Sequence, residues 1–297
     1  MDVTTSDGRT LHVVEAGVPD GPAIVWHHGT PDSGGIYRLA RESAEQRGLR
    51  LLAYDRPGYG GSTPHPGRTV ADAASDVGAI LDELGVERFA TYGLSGGGPH
   101  ALACAALLPD RCAAAVSVAG VGPADAPDLD WMAGMGEGNE AEFGAAREGR
   151  ERLTEFCAEQ AEAILAAGQD QFVESLRPHL SDVDAEMLTS DYGAFLWTTL
   201  SAAIEHGVEG WVDDDYAFLA PWGFDVEAMR VPVLVWQGVQ DLMVPAAHGS
   251  WLGEHVAGAE VRIFPDEGHL TMASRRVGEL HDWLKDHLTA GTPSPPA

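Results

Sequence analysis

Phe89-Ala90-Thr91-Tyr92-Gly93-Leu94-Ser95-Gly96-Gly97 is an apolar run that ends on a serine set between glycines, and the helix-prone stretch Pro99 to Leu108 follows it. The run predicts a strand. The G-x-S-x-G spacing predicts a sharp strand-to-helix turn with Ser95 at its apex. Glycine suits the flanking positions because a side chain there would clash in so tight a turn. The hydroxyl would project from the top of a sheet, near the positive end of the following helix. A free serine hydroxyl is a weak nucleophile, and such a turn aims one. A glycine-rich turn that merely packs closely would read the same way, so the weight falls on the rest of the chain.

The chain has 297 residues, 44% of them hydrophobic, which suits one large domain or one domain with an inserted lobe. No apolar run approaches the roughly 20 residues of a membrane span. The N-terminus, Met1-Asp2-Val3-Thr4-Thr5-Ser6-Asp7, is polar and acidic, unlike a signal peptide. Cys104, Cys112 and Cys157 fit neither zinc nor a dithiol motif, and we read them as reduced, buried hydrophobes in a cytoplasmic protein. Acidic residues outnumber basic ones 46 to 18, for a net charge of -28. Such a surface repels nucleic acid and anionic lipid. The expectation is a small-molecule substrate, no nucleic-acid or membrane partner, and a monomer or homodimer.

Short apolar runs predict buried strands at 23–27, 49–54, 112–119 and 233–237, with further strands at 89–94 and 261–264, after an N-terminal hairpin whose second strand covers 10–16. The stripe Val70, Ala73, Ala74, Val77, Ile80, Leu81 and Leu84 predicts a helix over 69–84, and a last helix is expected over about 276–287. Strands alternating with helices indicate a mostly parallel sheet covered on both faces. Regular alternation stops between 122 and 228, a segment too long for a loop. Its helical stretches, 140–167, 169–180, 185–189 and 191–206, form an inserted cap with Asn139 and Ser181 as N-caps. The core is then 1–121 and 229–290. The tail 291–297, rich in proline, is expected to be disordered.

Asp241 follows the strand 233–237, and His269 follows the strand 261–264. Both therefore belong on loops at the carboxyl edge of the sheet, where Ser95 also belongs and where open α/β sheets bind ligands. The trio can act together: His269 takes the Ser95 proton, and Asp241 holds the imidazole tautomer. Singly, Asp241 could cap a helix beginning near Pro245, and His269 is one of twelve histidines. Asp125 is an alternative acid. His27-His28-Gly29-Thr30-Pro31 follows the strand 23–27. Acyl transfer puts negative charge on a substrate oxygen, which the backbone N–H groups of Thr30 and Gly96 would hold. His28 would brace this loop, and adjacent histidines on a strand point to opposite faces, which disfavours a metal. Asp55-Arg56-Pro57-Gly58-Tyr59-Gly60-Gly61-Ser62 lacks the Gly-Lys-Ser/Thr ending of a P-loop and reads as support for the oxyanion loop.

These pieces together resemble the α/β-hydrolase superfamily over nearly the whole chain: His28-Gly29-Thr30-Pro31, Asp55 to Ser62, Gly93 to Gly97, Asp241 before Val244-Pro245, and Gly268-His269. The resemblance implies an eight-stranded sheet, one strand antiparallel near the N-terminus, and a helical lid after the sixth strand. Ser95 stands where haloalkane dehalogenases and epoxide hydrolases carry aspartate, which argues against both. The loop Gly29-Thr30-Pro31 and the Gly96 that follows the serine depart from proline iminopeptidases.

The reading is a serine hydrolase of small or medium apolar carboxylic esters or lactones, acting through an acyl-enzyme with no metal and no cofactor. Alternatives on the same trio are carbon–carbon bond hydrolysis, aminopeptidase activity and cofactor-free perhydrolysis. A ligand receptor on a retained hydrolase fold is the alternative from another class. The pocket is expected to include His28, Trp131, Trp197, Met243 and Leu270. His100 is expected to pack rather than react. Asp213-Asp214-Asp215 is expected to be an exposed turn, with a clamp for a substrate amine as the sharper alternative.

Overall fold

A computed structural model describes residues 1–290, so the tail at 291–297 lies outside the described residues. In chain order the elements are β1 (Asp2–Thr4), β2 (Thr10–Gly17), β3 (Ala23–His27), α1 (Arg38–Arg47), β4 (Arg50–Tyr54), α2 (Asp72–Glu83), β5 (Phe89–Leu94), α3 (Gly97–Leu107) and β6 (Cys112–Val118). Then come α4 (Glu137–Glu148), α5 (Arg150–Leu176), α6 (Asp182–Met187), α7 (Asp191–Ile204) and α8 (Glu209–Leu219). The chain returns to the sheet with β7 (Val233–Gly238), α9 (Ala246–His255), β8 (Glu260–Phe264), α10 (His269–Arg275) and α11 (Val277–Thr289).

The eight strands form one sheet in the order β1-β2-β4-β3-β5-β6-β7-β8. β2 runs antiparallel to both of its neighbours, and every pair from β4–β3 to β7–β8 is parallel. β5, β6 and β7 are buried at every position, because helices cover both faces of a parallel sheet. One apolar cluster, including Val25, Leu52, Val77, Phe89 and Leu102, packs beneath α2 and α3. The other, including Ile24, Leu51, Val116, Trp236 and Leu284, packs beneath α1 and α11. β8 is one edge of the sheet, where Val261 and Ile263 stay exposed.

Between β6 and β7 the five helices α4 to α8 form an insertion with its own apolar cluster around Leu153, Cys157, Phe172 and Trp211. Gly149 (φ 126°) separates α4 from α5, and Gly168 (φ 72°) kinks α5. The sequence reading has the second break but runs 140–167 as one helix. Asn139 lies within α4 rather than at its cap, which Gly136 occupies, and its Nδ2 donates to the Met243 carbonyl at 2.9 Å. Ser181 does occupy the N-cap position of α6. Its hydroxyl donates to Asp184 at 3.0 Å instead of accepting from the helix backbone. α1, α8 and α10 are additions that periodicity does not announce. No helix among the described residues is long and apolar enough to cross a membrane.

Candidate active site

Ser95 sits between β5 and α3 with φ at 55°, a left-handed conformation that costs a non-glycine residue about 1–2 kcal/mol. The Ser95 N–H donates to the Val118 carbonyl at 2.9 Å, and the Ser95 carbonyl accepts from the Gly98 N–H at 2.9 Å. Backbone strain held by such bonds gathers where a side chain must be aimed. The glycines around it serve close approach. A Cβ on Gly93 would run into the Gly97 backbone, and one on Gly96 would meet Thr30 and the Phe218 ring. Gly96 itself has an ordinary helical φ of -55°.

His269 opens α10, and Asp241 lies in the loop after β7. The His269 Nδ1 and an Asp241 oxygen lie 2.8 Å apart, with both side chains buried. A carboxylate only accepts, so Nδ1 carries the proton and Nε2 is left with a lone pair. Asp241 is held in turn by the N–H groups of Met243 at 2.9 Å and Val244 at 2.8 Å, and by Gln237 Nε2 at 3.2 Å. Burial disfavours the imidazolium, but the carboxylates of Asp241 and Asp184 outweigh it and raise the His269 pKa above its ordinary 6.5. Asp125 is exposed in the segment after β6 and takes no part.

Ser95 and His269 line one cavity of about 220 Å³. The structure records no direct hydrogen bond between the Ser95 hydroxyl and the imidazole among the described residues. Bonds of this kind commonly tighten only around substrate. Gly29 and Thr30 form the adjacent wall, and a Cβ on Gly29 would lie 3.8 Å from that of Ser95. The N–H groups of Thr30 and Gly96 have no acceptor among the described residues. The Thr30–Pro31 peptide is cis.

A buried ion network supports this loop. Arg56 donates to the His28 carbonyl, to the Gly29 carbonyl at 2.7 Å and to the Thr30 hydroxyl at 3.0 Å. The same guanidinium binds Asp214 of α8 at 2.6 Å, and Asp214 also takes Arg68 at 2.7 Å, the Tyr59 hydroxyl at 2.9 Å and the Thr30 hydroxyl at 2.6 Å. Burial alone would raise the Asp214 pKa, but Arg56 and Arg68 hold it well below the carboxylate range. Asp213, Asp214 and Asp215 are at most 1% exposed, which overturns the exposed turn expected from the sequence. The run is helical and points into the fold, where arginines distant in sequence neutralise Asp213 and Asp214. Asp213 pairs with Arg150. Asp215 packs against Glu142, and burial followed by that neighbour raises its pKa well above normal.

His28 braces the loop without lining the cavity. Its Nδ1 donates to the Gly29 carbonyl at 2.8 Å, and its Nε2 accepts from the Arg56 N–H at 3.0 Å. Burial, reinforced by Arg56, pushes its pKa well down, so the ring is neutral. His100 packs: its Nδ1 donates to the Gly96 carbonyl at 2.7 Å, and burial lowers its pKa to about 3.

Met243 and Leu270 line the cavity. Trp131 and Trp197 do not. Trp131 is a core residue, donating to the Gly122 carbonyl at 2.6 Å and packed on Phe143. Trp197 stands behind the cavity wall, against Phe172 at 5.5 Å between ring centroids. The apolar walls come from Ile164, Phe172, Leu176, Leu180, Tyr192, Leu196, Leu200 and Trp211 of the insertion, with Leu94 from the sheet. Sequence reasoning passed over two polar wall residues, His179 and Asp32. Burial raises the Asp32 pKa to about 6, against hydrogen bonds from Thr199 and the Ser33 N–H. Among the described residues no cluster of three or more His, Cys, Asp or Glu side chains could hold a metal ion.

The chain is similar to known proteins over nearly its whole length. A probable proline iminopeptidase of Leptolyngbya boryana is 23% identical over 92% of this chain and 89% of its own length. Among solved structures, a thermophilic esterase from Thermogutta terrifontis superposes with a TM-score of 0.70 at 22% identity, covering 97% of this chain and 99% of that one. The enol-lactonase from Burkholderia xenovorans LB400 does so with a TM-score of 0.68 at 20% identity, covering 97% of this chain and 100% of that one. A family model for the alpha/beta hydrolase fold matches residues 22–275. With the eight-stranded sheet, and the Gly93–Gly97 turn at the crest of β5, that match makes the chain a member of the α/β-hydrolase fold family.

Proposed function

We propose that the protein hydrolyses small or medium apolar carboxylic esters or lactones through an acyl-enzyme on Ser95. The observation that carries this reading is the buried 2.8 Å pairing of His269 Nδ1 with Asp241, on the cavity that the strained Ser95 also lines. In this reading Nε2 of His269 takes the Ser95 proton as the hydroxyl oxygen attacks the carbonyl carbon. The negative charge that develops on the carbonyl oxygen is received by the N–H groups of Thr30 and Gly96. Collapse of the tetrahedral intermediate breaks the bond to the leaving alkoxide, which takes the proton from His269. Water, deprotonated by the same nitrogen, then releases the acid and restores the hydroxyl. The apolar walls supplied by the insertion, acting as a cap, favour an uncharged acyl chain, and a cavity of about 220 Å³ favours a short one.

The test is turnover of p-nitrophenyl esters of rising acyl length and of simple lactones, with Ser95→Ala as control. The reading expects turnover by the parent that is strongest for short acyl chains, together with stoichiometric labelling of Ser95 by a fluorophosphonate. Folded protein that is neither labelled nor active would point to a receptor.

Asp32 supports a second reading. A carboxyl group on a mainly apolar cavity wall can receive a substrate ammonium, and the relative from Leptolyngbya boryana is named a probable proline iminopeptidase. Faster cleavage of proline p-nitroanilide than of any ester, abolished by Asp32→Asn, would favour the peptidase.

A further inference from the structure

We propose that Asp184, on α6 of the insertion, is a positioning residue for His269. The Asp184 carboxylate accepts from the N–H groups of His269 at 2.7 Å, Leu270 at 2.8 Å and Thr271 at 3.0 Å, and from the Ser181 hydroxyl at 3.0 Å. It is fully buried, and those four donors satisfy both of its oxygens. The three N–H groups are the first of α10 and have no partner inside that helix. The carboxylate therefore fixes the backbone from which the imidazole projects, while Asp241 holds the ring itself.

Gly268 supplies an independent sign that this contact is built in. Its φ of -107° is open to any residue, yet a Cβ there would collide with the Asp184 carboxylate and lie 2.6 Å from the Ser181 hydroxyl. The glycine before the histidine is thus required by the residue from the insertion, not by the turn. The base is consequently held from two parts of the chain: Asp241 of the sheet fixes the ring, and Asp184 of the insertion fixes the main chain. Docking of the insertion and alignment of the base become one event.

The charged groups facing His269 are Asp241 from the loop after β7, Asp184 from α6, and Asp32 and His179 across the shared cavity. Glu267, just before the helix, is neutralised by Arg276 at 2.9 Å. Removing the Asp184 charge takes away one of the carboxylates that favour the imidazolium, so the imidazole midpoint must fall.

The inference rests on His269 being the base of the proposed reaction, and the experiment separates the two. The full chain and Asp184→Asn are compared by the rate of fluorophosphonate labelling at Ser95 and by the ¹⁵N titration of the His269 imidazole. Circular dichroism establishes that the variant is folded. We expect labelling to slow about 10- to 100-fold, as for a reacting group displaced by about 1 Å, and the midpoint to drop. In Asp184→Glu the charge returns without the geometry, so the midpoint should recover while labelling stays slow. A folded Asp184→Asn that labels at the parent rate overturns the proposal. If that variant does not fold, Ser181→Ala loosens the same carboxylate, and unchanged labelling there overturns it equally. If the parent itself resists labelling, the hydrolase reading fails. The clamp is then judged by the midpoint alone, and an unmoved midpoint rejects it.

Discussion

Arg56 and Asp214 stand 158 positions apart in sequence and meet at 2.6 Å in a site that leaves neither more than 1% exposed. The guanidinium spans from this carboxylate to the carbonyls of His28 and Gly29, so α8 of the insertion and the loop after β3 are joined through one side chain. Removing one member of such a pair leaves the other charge buried and uncompensated. Asp214→Ala strands Arg56 and Arg68 together. It should lower stability by about 3–5 kcal/mol, read by chemical denaturation, and the surviving folded protein should lose kcat because Thr30 loses its anchor.

Ser95→Ala and His269→Ala should each remove nearly all turnover, roughly a million-fold in kcat where nucleophile and base act as a unit. Asp241→Asn should cost about 10⁴-fold by presenting the wrong tautomer. Both effects are measured on any ester that the parent cleaves, with unfolding midpoints checked alongside. Ser95→Ala keeps the same Cβ at the same φ of 55° and removes only a hydroxyl, so its fold should persist.

The pH profile of kcat/KM should have an acid limb set by His269. Only the neutral imidazole can take the serine proton, so activity must fall as pH drops through its midpoint and level off above it. Burial works against the charged ring, while Asp241 and Asp184 favour it and prevail. The midpoint should therefore lie above 6.5, and a limb centred below that value would contradict the assignment.

Gly96→Ala tests the close approach of two loops. The backbone there tolerates alanine, but the added methyl would meet Thr30 and Phe218. Displacing one anion-binding N–H should lower kcat by about 10²-fold or more and leave KM little changed, measured by steady-state kinetics on an ester.

Most of the architecture is legible in the chain because its signals are local. β5, β6 and β7 are mainly apolar runs, as strands buried on both faces must be, and the G-x-S-x-G spacing of the serine turn is a pattern within five consecutive residues. Asp241 and His269 are readable for the same reason: each follows a strand, and parallel strands deliver their following loops to one edge. α8 escapes such reading because Asp213-Asp214-Asp215 resembles a solvated charge run, and nothing local names Arg56, Arg68 or Arg150 as partners. Trp131 and Trp197 escape it too, since an aromatic side chain in the insertion carries no mark of whether it faces a core or a cavity.

The sequence by itself determined the strand order along the chain, the place of the insertion and the three side chains at the sheet's crest. These follow from hydrophobic period and turn chemistry, which act over a few residues. Only the tertiary structure decided which carboxylates hold the His269 backbone and the loop after β3. Asp184 and Asp214 owe their roles to backbone N–H groups and guanidinium groups brought from distant segments, where burial makes an unpaired charge too costly to leave.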